Sequence, residues 1–127
     1  DDLIHWTDHR KVLSPIEGTW QDARVGIAGP PIRTSQGWVL IYHGACKADN
    51  SYRLGIALLD ANDPSIVLAR QPEPIMEPEL EWEKKGYVPN VVFSTGHALR
   101  GDDLYVYYGG ADTVIGVAAG RLSDLKF

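Results

Sequence analysis

The chain has 127 residues, of which 44% are apolar and 23% are charged, as in one soluble domain or part of a larger one and not as in a disordered segment or a coiled coil. Its formal charge is −5 and its Lys and Arg residues cluster only in pairs, which excludes the basic patch of a nucleic-acid-binding protein. No apolar run approaches the roughly 20 residues of a membrane-spanning helix. The single Cys46 allows neither an internal disulfide nor a cysteine zinc site. We therefore expect a cytoplasmic protein with no nucleic-acid or membrane partner.

Short apolar runs rich in β-branched and aromatic side chains follow one another along the chain, and such runs are typical of strands. In chain order they are residues 38–42, 54–59, 91–93, 104–108 and 114–119. Most prolines and glycines fall between them, where they mark turns. The one helix-like stretch, 79–85, has little apolar face, and we predict a loop there. The predicted fold class is all-β.

The runs also repeat as a pattern. A strand–glycine–loop–glycine–strand arrangement occurs at 38–59 and again at 104–119, and a polar turn followed by a short apolar strand occurs three times. Aligning Leu3, Ile66 and Leu125 of these turns spaces the copies by 63 and 59 residues. Modules of about four antiparallel strands stacked on their neighbours are the blades of a β-propeller. We predict one partial propeller domain over 1–127, with a blade end at 1–20 and blades at 21–70 and 71–127.

Two to two-and-a-half blades leave a ring open, because propellers typically need at least four blades to close. Two arrangements complete the ring. Either N-terminal blades lie outside this chain, or several copies assemble as a homo-oligomer.

Six segments resemble one known family. They are RVGIAGPPI at 24–32 with GWVLIYHG at 37–44, YRLGIALLD at 52–60, GYVPNVVF at 86–93, YYGGADT at 107–113 and DLIHW at 2–6. The sequence is similar in these segments to glycoside hydrolase family 130, which contains inverting β-mannoside phosphorylases and related hydrolases. The resemblance implies the C-terminal part of a five-bladed propeller whose active site lies in the central channel.

The resemblance also implies that part of the family's active site lies outside this chain. In the family, the aspartate that protonates the glycosidic oxygen and two phosphate-binding arginines lie in the N-terminal half, which has no counterpart in this chain. Inverting phosphorolysis needs only this acid and phosphate, so no metal or organic cofactor is expected and inorganic phosphate is the possible co-substrate. The expected partner is a mannoside-type oligosaccharide.

For two residues of these segments, a structural role and a ligand-binding role are both open. Asp112 lies in a turn of small residues, where it is either bonded to nearby backbone or, as the resemblance implies, a ligand for sugar hydroxyls. His43 ends a strand, where it is either a half-buried residue satisfied by a carbonyl or, as the resemblance implies, a phosphate or sugar contact.

Three further candidates are charged or polar. Arg24 is either a solvated surface charge or an anion ligand beside the flexible turn that begins at Gly26; the family's phosphorylases usually have lysine there, and arginine presents a planar fork instead of a point charge. Asn90 is a turn residue or a sugar ligand. Glu83 is a solvated charge or a channel carboxylate.

The tryptophans and two histidines complete the candidates. Aromatic faces suit the C–H face of a pyranose; we assign Trp38 to core packing and Trp82, which lies amid charges, to sugar stacking, and leave both roles open for Trp20. His5 and His9 have the spacing of helical metal ligands, but the strand pattern argues against a helix, and we predict no metal site.

Two functions follow as hypotheses. The first is the C-terminal part of an inverting β-mannoside phosphorylase or glycosidase, which supplies sugar- and phosphate-binding residues while the proton donor comes from elsewhere. The alternative is a non-catalytic or vestigial carbohydrate-binding or assembly module, since loss of the acid forfeits on the order of 10²–10⁴ in rate.

Overall fold

The computed structural model describes residues 4–127, and strands dominate it. They are β1 (Arg24–Ile27), β2 (Ile32–Arg33), β3 (Trp38–Ala45), β4 (Tyr52–Leu59), β5 (Val67–Arg70), β6 (Val92–Arg100), β7 (Asp103–Gly110) and β8 (Val114–Arg121). A four-residue helix α1 (Glu81–Lys84) and a 3-10 turn (Leu122–Asp124) are the helical elements of this range. None of its helices is long and apolar enough to cross a membrane. The prediction of an all-β fold is confirmed.

The first sheet has the order β1–β3–β4–β5 and is antiparallel throughout. β3 and β4 pair along their whole length, from Trp38 opposite Leu59 to Ala45 opposite Tyr52. β1 and β2 pair with opposite ends of β3 and form one interrupted edge. The interruption contains Pro30 and Pro31, which have no N–H to donate to the ladder.

The second sheet has three strands in the order β6–β7–β8, one fewer than the predicted blade of about four. β6 contains a bulge between Ser94 and Gly96, where the buried Ser94 hydroxyl donates a hydrogen bond to the carbonyl of Tyr107 at 2.7 Å. β8 is the last strand of this sheet, and its Ile115 side chain is 85% exposed.

The main core lies between the two sheets. Alternate residues of each strand face it, as expected for strands with a period of two. From the first sheet come Val39, Ile41, Leu54, Ile56 and Leu58, and from the second Val92, Leu104, Val106 and Tyr108. The two sheets therefore pack face to face, as predicted for neighbouring blades.

A second cluster covers the opposite face of the first sheet. Its buried members are Leu40, Tyr42, Ala57 and Leu59, and the segment before β1 packs on them with Val12, Leu13 and Trp20. Arg70 ties this segment down, because its guanidinium donates hydrogen bonds to the Ser14 carbonyl at 2.7 Å, to the Tyr42 hydroxyl at 3.1 Å and to Gln21.

Two local predictions were wrong. Residues 79–85 contain helix α1 instead of a loop, because Glu83 accepts hydrogen bonds from the N–H groups of Glu79 and Leu80 and so satisfies the start of a helical turn. The expected strand at Leu125 is replaced by the 3-10 turn before it, which is fixed by hydrogen bonds from the N–H and hydroxyl of Ser123 to Asp102. The copy of this element at 1–4 lies outside the described residues except for Ile4, which forms a bend.

The same stack of a tryptophan on a tyrosine occurs in both sheets and links each sheet to the segment before it. In the first sheet Trp20 stacks on Tyr42 at 6.0 Å and covers Gly44 and Gly55. In the second sheet Trp82 stacks on Tyr108 at 5.7 Å and covers Gly110 and Gly116. The residue after each tryptophan, Gln21 or Glu83, accepts a hydrogen bond from the tyrosine hydroxyl. Glycine is needed on the strands because the indole ring occupies the space of a side chain.

We expect Gly116→Ala to destabilise the protein, because an added Cβ at this position would lie 2.5 Å from Trp82 Cη2 and 2.9 Å from Tyr108 Cζ. Overpacking of this kind typically costs about 1–3 kcal/mol. Gly120→Ala on the same strand is the matched control, since nothing lies within 4 Å of its added Cβ. Urea midpoints for the two variants check the prediction, and equal midpoints would contradict it.

Candidate functional site

The predicted site residues lie at one end of the two sheets. Arg24 begins β1 and His43 lies near the end of β3, while Asn90 precedes β6 and Asp112 follows β7. The ends meet because Tyr52 at the start of β4 and Val91 just before β6 form a parallel bridge. Antiparallel pairing within each sheet brings the remaining strand ends to the same place. We call this region the site end.

A cluster of one cation and three rings forms the centre of the site end. The guanidinium carbon of the exposed Arg24 lies 5.9 Å from the centre of the Tyr52 ring, within the range of a cation–π contact. The His43 ring lies 4.1 Å from the Phe93 ring and 6.1 Å from the Tyr52 ring. Within the described part of the chain no carboxylate pairs with Arg24, so its charge is available to an anion.

His43 is buried and held in one place. Its ring packs against Gly26, where an added Cβ would lie only 2.4 Å from Nε2. Burial lowers the pKa of His43 below its ordinary value, and a hydrogen bond with the backbone of Ser94 offsets this only in part. The ring is therefore neutral at pH 7. Its buried Nδ1 has no hydrogen-bond partner among residues 4–127, a property that it shares with His97 Nδ1, and a buried polar atom left without a hydrogen bond costs free energy.

The turn that carries Asp112 has an unusual backbone. Ala111 and Asp112 have φ of 46° and 53°, and the Thr113 N–H donates to the Gly110 carbonyl at 3.0 Å. Two successive positive φ values are characteristic of a type I′ turn. The Asp112 side chain is exposed, and no hydrogen bond to it occurs among residues 4–127. The alternative of a carboxylate bonded to nearby backbone is thus not what this turn contains.

Asn90 is tied to both the ring cluster and this turn. It has a positive φ of 58°, and its carbonyl accepts a hydrogen bond from the Tyr52 N–H at 3.0 Å. The next residue, Val91, accepts a hydrogen bond from the Ala111 N–H at 3.0 Å. Non-glycine residues with positive φ cost energy and often occur at functional sites. The backbone therefore connects Arg24, His43, Asn90 and Asp112 into one region.

Glu83 is neither solvated nor exposed to a channel in this range. Its side chain is buried, and one carboxylate oxygen accepts a 2.6 Å hydrogen bond from the Tyr108 hydroxyl. The other oxygen accepts hydrogen bonds from the backbone of Glu79 and Leu80. Glu83 thus fixes the segment that leads to Asn90, and a role as a direct sugar ligand stays a prediction without support from this geometry.

The lowered pKa of Glu83 predicts that the stability of the fold depends on pH. Burial raises its pKa, but the hydrogen bonds from Tyr108, Leu80 and Glu79 outweigh burial and hold the pKa below its ordinary value of 4.5. The carboxylate therefore stabilises the fold above pH 4.5, and this contribution is lost as the pH falls through the lowered pKa. We expect Glu83→Gln to cost about 2 kcal/mol at pH 7 and to show a shallower loss of stability below pH 4.5 than the wild type.

Urea unfolding at pH 7, 5, 4 and 3 measures this dependence. Glu81→Gln in the same helix is the matched control, because that side chain is exposed and should change the midpoint little. Parallel stability–pH curves for the wild type and Glu83→Gln would contradict the assignment.

The Trp82 ring is packed against the protein more extensively than predicted for a residue that stacks on sugar. The ring fits against Gly110 and Gly116 on one strand pair and stacks on Tyr108, although 37% of the residue stays exposed. Trp20 packs in the same way in the first sheet. Trp38 is half-buried against the second cluster and donates a hydrogen bond to the Ala61 carbonyl at 3.3 Å. Of the two histidines considered as metal ligands, His9 contacts the Trp6 carbonyl at 3.2 Å. His9 and Trp6 both precede β1 in the sequence.

Sequence reasoning missed Tyr52 and Phe93, the two rings that join Arg24 to His43. Both residues belong to the segments that resemble the family, but nothing in the sequence distinguishes either from an ordinary strand residue. The signal that would identify them is the pairing of the β4 and β6 starts, a contact between sheets that no local pattern encodes.

Comparison with known proteins identifies the family that this chain matches. Residues 1–126 match the model of glycoside hydrolase family 130, described as β-1,4-mannooligosaccharide phosphorylase. The chain is 64% identical over its full length to a 1,2-β-oligomannan phosphorylase of Thermoanaerobacter sp. strain X514, and 58% identical over 91% of its length to a β-1,2-mannobiose phosphorylase of the same organism. It spans 43% and 38% of the lengths of these two relatives.

A solved structure shows the same fold. The β-1,2-mannobiose phosphorylase of Listeria innocua, in complex with β-1,2-mannobiose, is 44% identical and superposes with a TM-score of 0.93. The match covers 97% of this chain and 35% of the Listeria protein. The two sheets are thus part of a β-propeller, and the chain belongs to glycoside hydrolase family 130.

Proposed function

We propose that this chain forms the sugar- and phosphate-binding end of an inverting β-1,2-mannoside phosphorylase. The observation that carries the proposal is that Arg24, the buried His43 and the exposed Asp112 lie at one end of two propeller sheets, where residues 4–127 provide no carboxylate partner for Arg24 and no hydrogen bond to the Asp112 side chain. Arg24 and His43 face the phosphate, and Asn90 and Asp112 hold the sugar. The β-1,2 linkage is favoured because the relatives with the highest identities reported above carry it in their names.

Each residue type suits its role. A guanidinium offers several donors in a fixed plane to the oxygens of phosphate, and a neutral imidazole adds one donor without adding a charge. A carboxylate accepts hydrogen bonds from two neighbouring sugar hydroxyls. The proton on the glycosidic oxygen must come from an acid, and in this proposal the acid lies on a blade outside residues 1–127.

Two apolar surfaces support the presence of further blades. The outer face of the second sheet exposes Tyr107, Ile115 and Val117. On the far side of the first sheet, Ile27 is 60% exposed beside a largely apolar cavity of about 370 Å³. Blades that stack on both surfaces would bury them and close the channel around the site end.

A graft tests the proposal. This chain replaces the matching segment of the Thermoanaerobacter β-1,2-mannobiose phosphorylase, and formation of mannose 1-phosphate from β-1,2-mannobiose and phosphate is measured. We expect activity within about tenfold of the parent, because the fold and the site residues are retained. A graft that melts cooperatively like the parent and yet produces no sugar phosphate would overturn the proposal.

A further inference from the structure

We infer that Tyr87 is an aromatic platform on which a mannose ring stacks beside Asp112. The inference deepens the proposed function and rests on it, since it assumes that the site end binds a mannoside. The residue lies in the segment between helix α1 and Asn90.

The first observation is exposure. Tyr87 is 87% exposed, more than Trp6 at 68%, Tyr107 at 49% or Trp82 at 37%. A large ring left in water is unfavourable unless something covers it. Trp82, the platform expected from the sequence, is stacked on Tyr108 and fitted against two glycines, so its faces are largely occupied.

The second observation is that the backbone around this exposed ring is fixed. The Tyr87 N–H donates to the Thr113 hydroxyl at 3.0 Å, and the Val88 N–H donates to the Ala111 carbonyl at 3.1 Å. Gly86 packs so closely on the same turn that an added Cβ would lie 2.5 Å from the Ala111 carbonyl oxygen. Tyr87 is thus anchored on both sides to the turn that carries Asp112.

This combination suits recognition of a pyranose. A ring presented on a rigid backbone loses little conformational entropy when a ligand covers it. The axial and equatorial C–H groups of a sugar offer an apolar face to the ring, while its hydroxyls point to the rim, where Asp112 and Asn90 accept and donate hydrogen bonds. A mannose unit held by Asp112 would therefore lie at the turn to which the backbone of Tyr87 and Val88 is anchored.

The test measures binding of β-1,2-mannobiose by NMR titration to the graft described above, in which this chain is part of a complete propeller; the graft without further substitution serves as the wild type. Tyr87→Ala should weaken binding about tenfold, because stacking and buried apolar area are lost. Tyr87→Phe should bind within about twofold of the wild type, because the ring and not the hydroxyl makes the contact. Tyr107→Ala is the matched control on an exposed tyrosine in mid-strand, and it should leave the affinity unchanged.

The outcomes distinguish failure of the Tyr87 platform from failure of the proposed function. If Tyr87→Ala binds as tightly as the wild type while the amide signals of Asn90 and Asp112 still shift, the platform is wrong and the proposed function stands. If Tyr87→Phe is as weak as Tyr87→Ala, the ring face is not the contact and the inference fails. If the wild type shows no shift with the sugar, both the platform and the proposed function are overturned.

Discussion

Asp112→Ala is expected to lower kcat/KM for β-1,2-mannobiose in the graft by about 10²-fold or more. The carboxylate is exposed, accepts no hydrogen bond among residues 4–127 and is held in a turn with two positive φ values, so it is available to accept hydrogen bonds from a ligand. Sites built to pair with substrate hydroxyls discriminate strongly when one partner is lost. Steady-state kinetics at saturating phosphate measures the effect.

Asp112→Asn separates charge from shape. Asparagine tolerates the left-handed backbone and keeps one acceptor oxygen, so an intermediate loss is expected. Activity of Asp112→Ala within threefold of the unmodified graft would contradict the assignment, provided that both melt at the same temperature.

The second large effect is expected from Arg24→Ala, which should raise the KM for phosphate about 100-fold. The guanidinium is exposed, rests over the Tyr52 ring and has no carboxylate partner among residues 4–127. In the closed channel the guanidinium and the phosphate would form a buried, hydrogen-bonded charge pair, and removal of one partner of such a pair typically costs about 2–5 kcal/mol. The KM for β-1,2-mannobiose should change much less, which distinguishes a lost phosphate contact from a general loss of structure.

Arg24→Lys is the conservative control. The resemblance to family phosphorylases, which usually have lysine here, implies that an ammonium also binds the anion, so we expect a KM for phosphate within about fivefold of the unmodified graft. If Arg24→Ala changed the two KM values equally, the residue would not be a phosphate ligand.

The sequence was sufficient to predict the strands and the fold because the signals for both are local. The runs at 38–42 and 104–108 are apolar and β-branched or aromatic, and the structure extends them to Trp38–Ala45 and Asp103–Gly110. The spacing of the repeats was sufficient to predict stacked sheets. The short helix α1 was missed because its stability comes from hydrogen bonds to Glu83 and not from an apolar face.

The site was predictable only in part. The resemblance selected Arg24, His43, Asn90 and Asp112, which the fold brings to one end. It gave no information on the partners of each residue. Glu83 looks like a solvated charge in a run of charged residues, but a tyrosine 25 residues away buries it. Contacts of this kind depend on how the sheets pack, which neither composition nor spacing encodes.

The most direct test of the central claim is a map of the amide shifts of this chain's residues within the graft on addition of inorganic phosphate and then of β-1,2-mannobiose. The account predicts that phosphate shifts the signals of Arg24, His43 and Tyr52, and that the sugar shifts those of Asn90 and Asp112. The opposite ends of the strands, near Arg33 and Arg100, should stay unchanged. Shifts confined to those opposite ends, or no shift with either ligand, would contradict the claim that the site end binds sugar and phosphate.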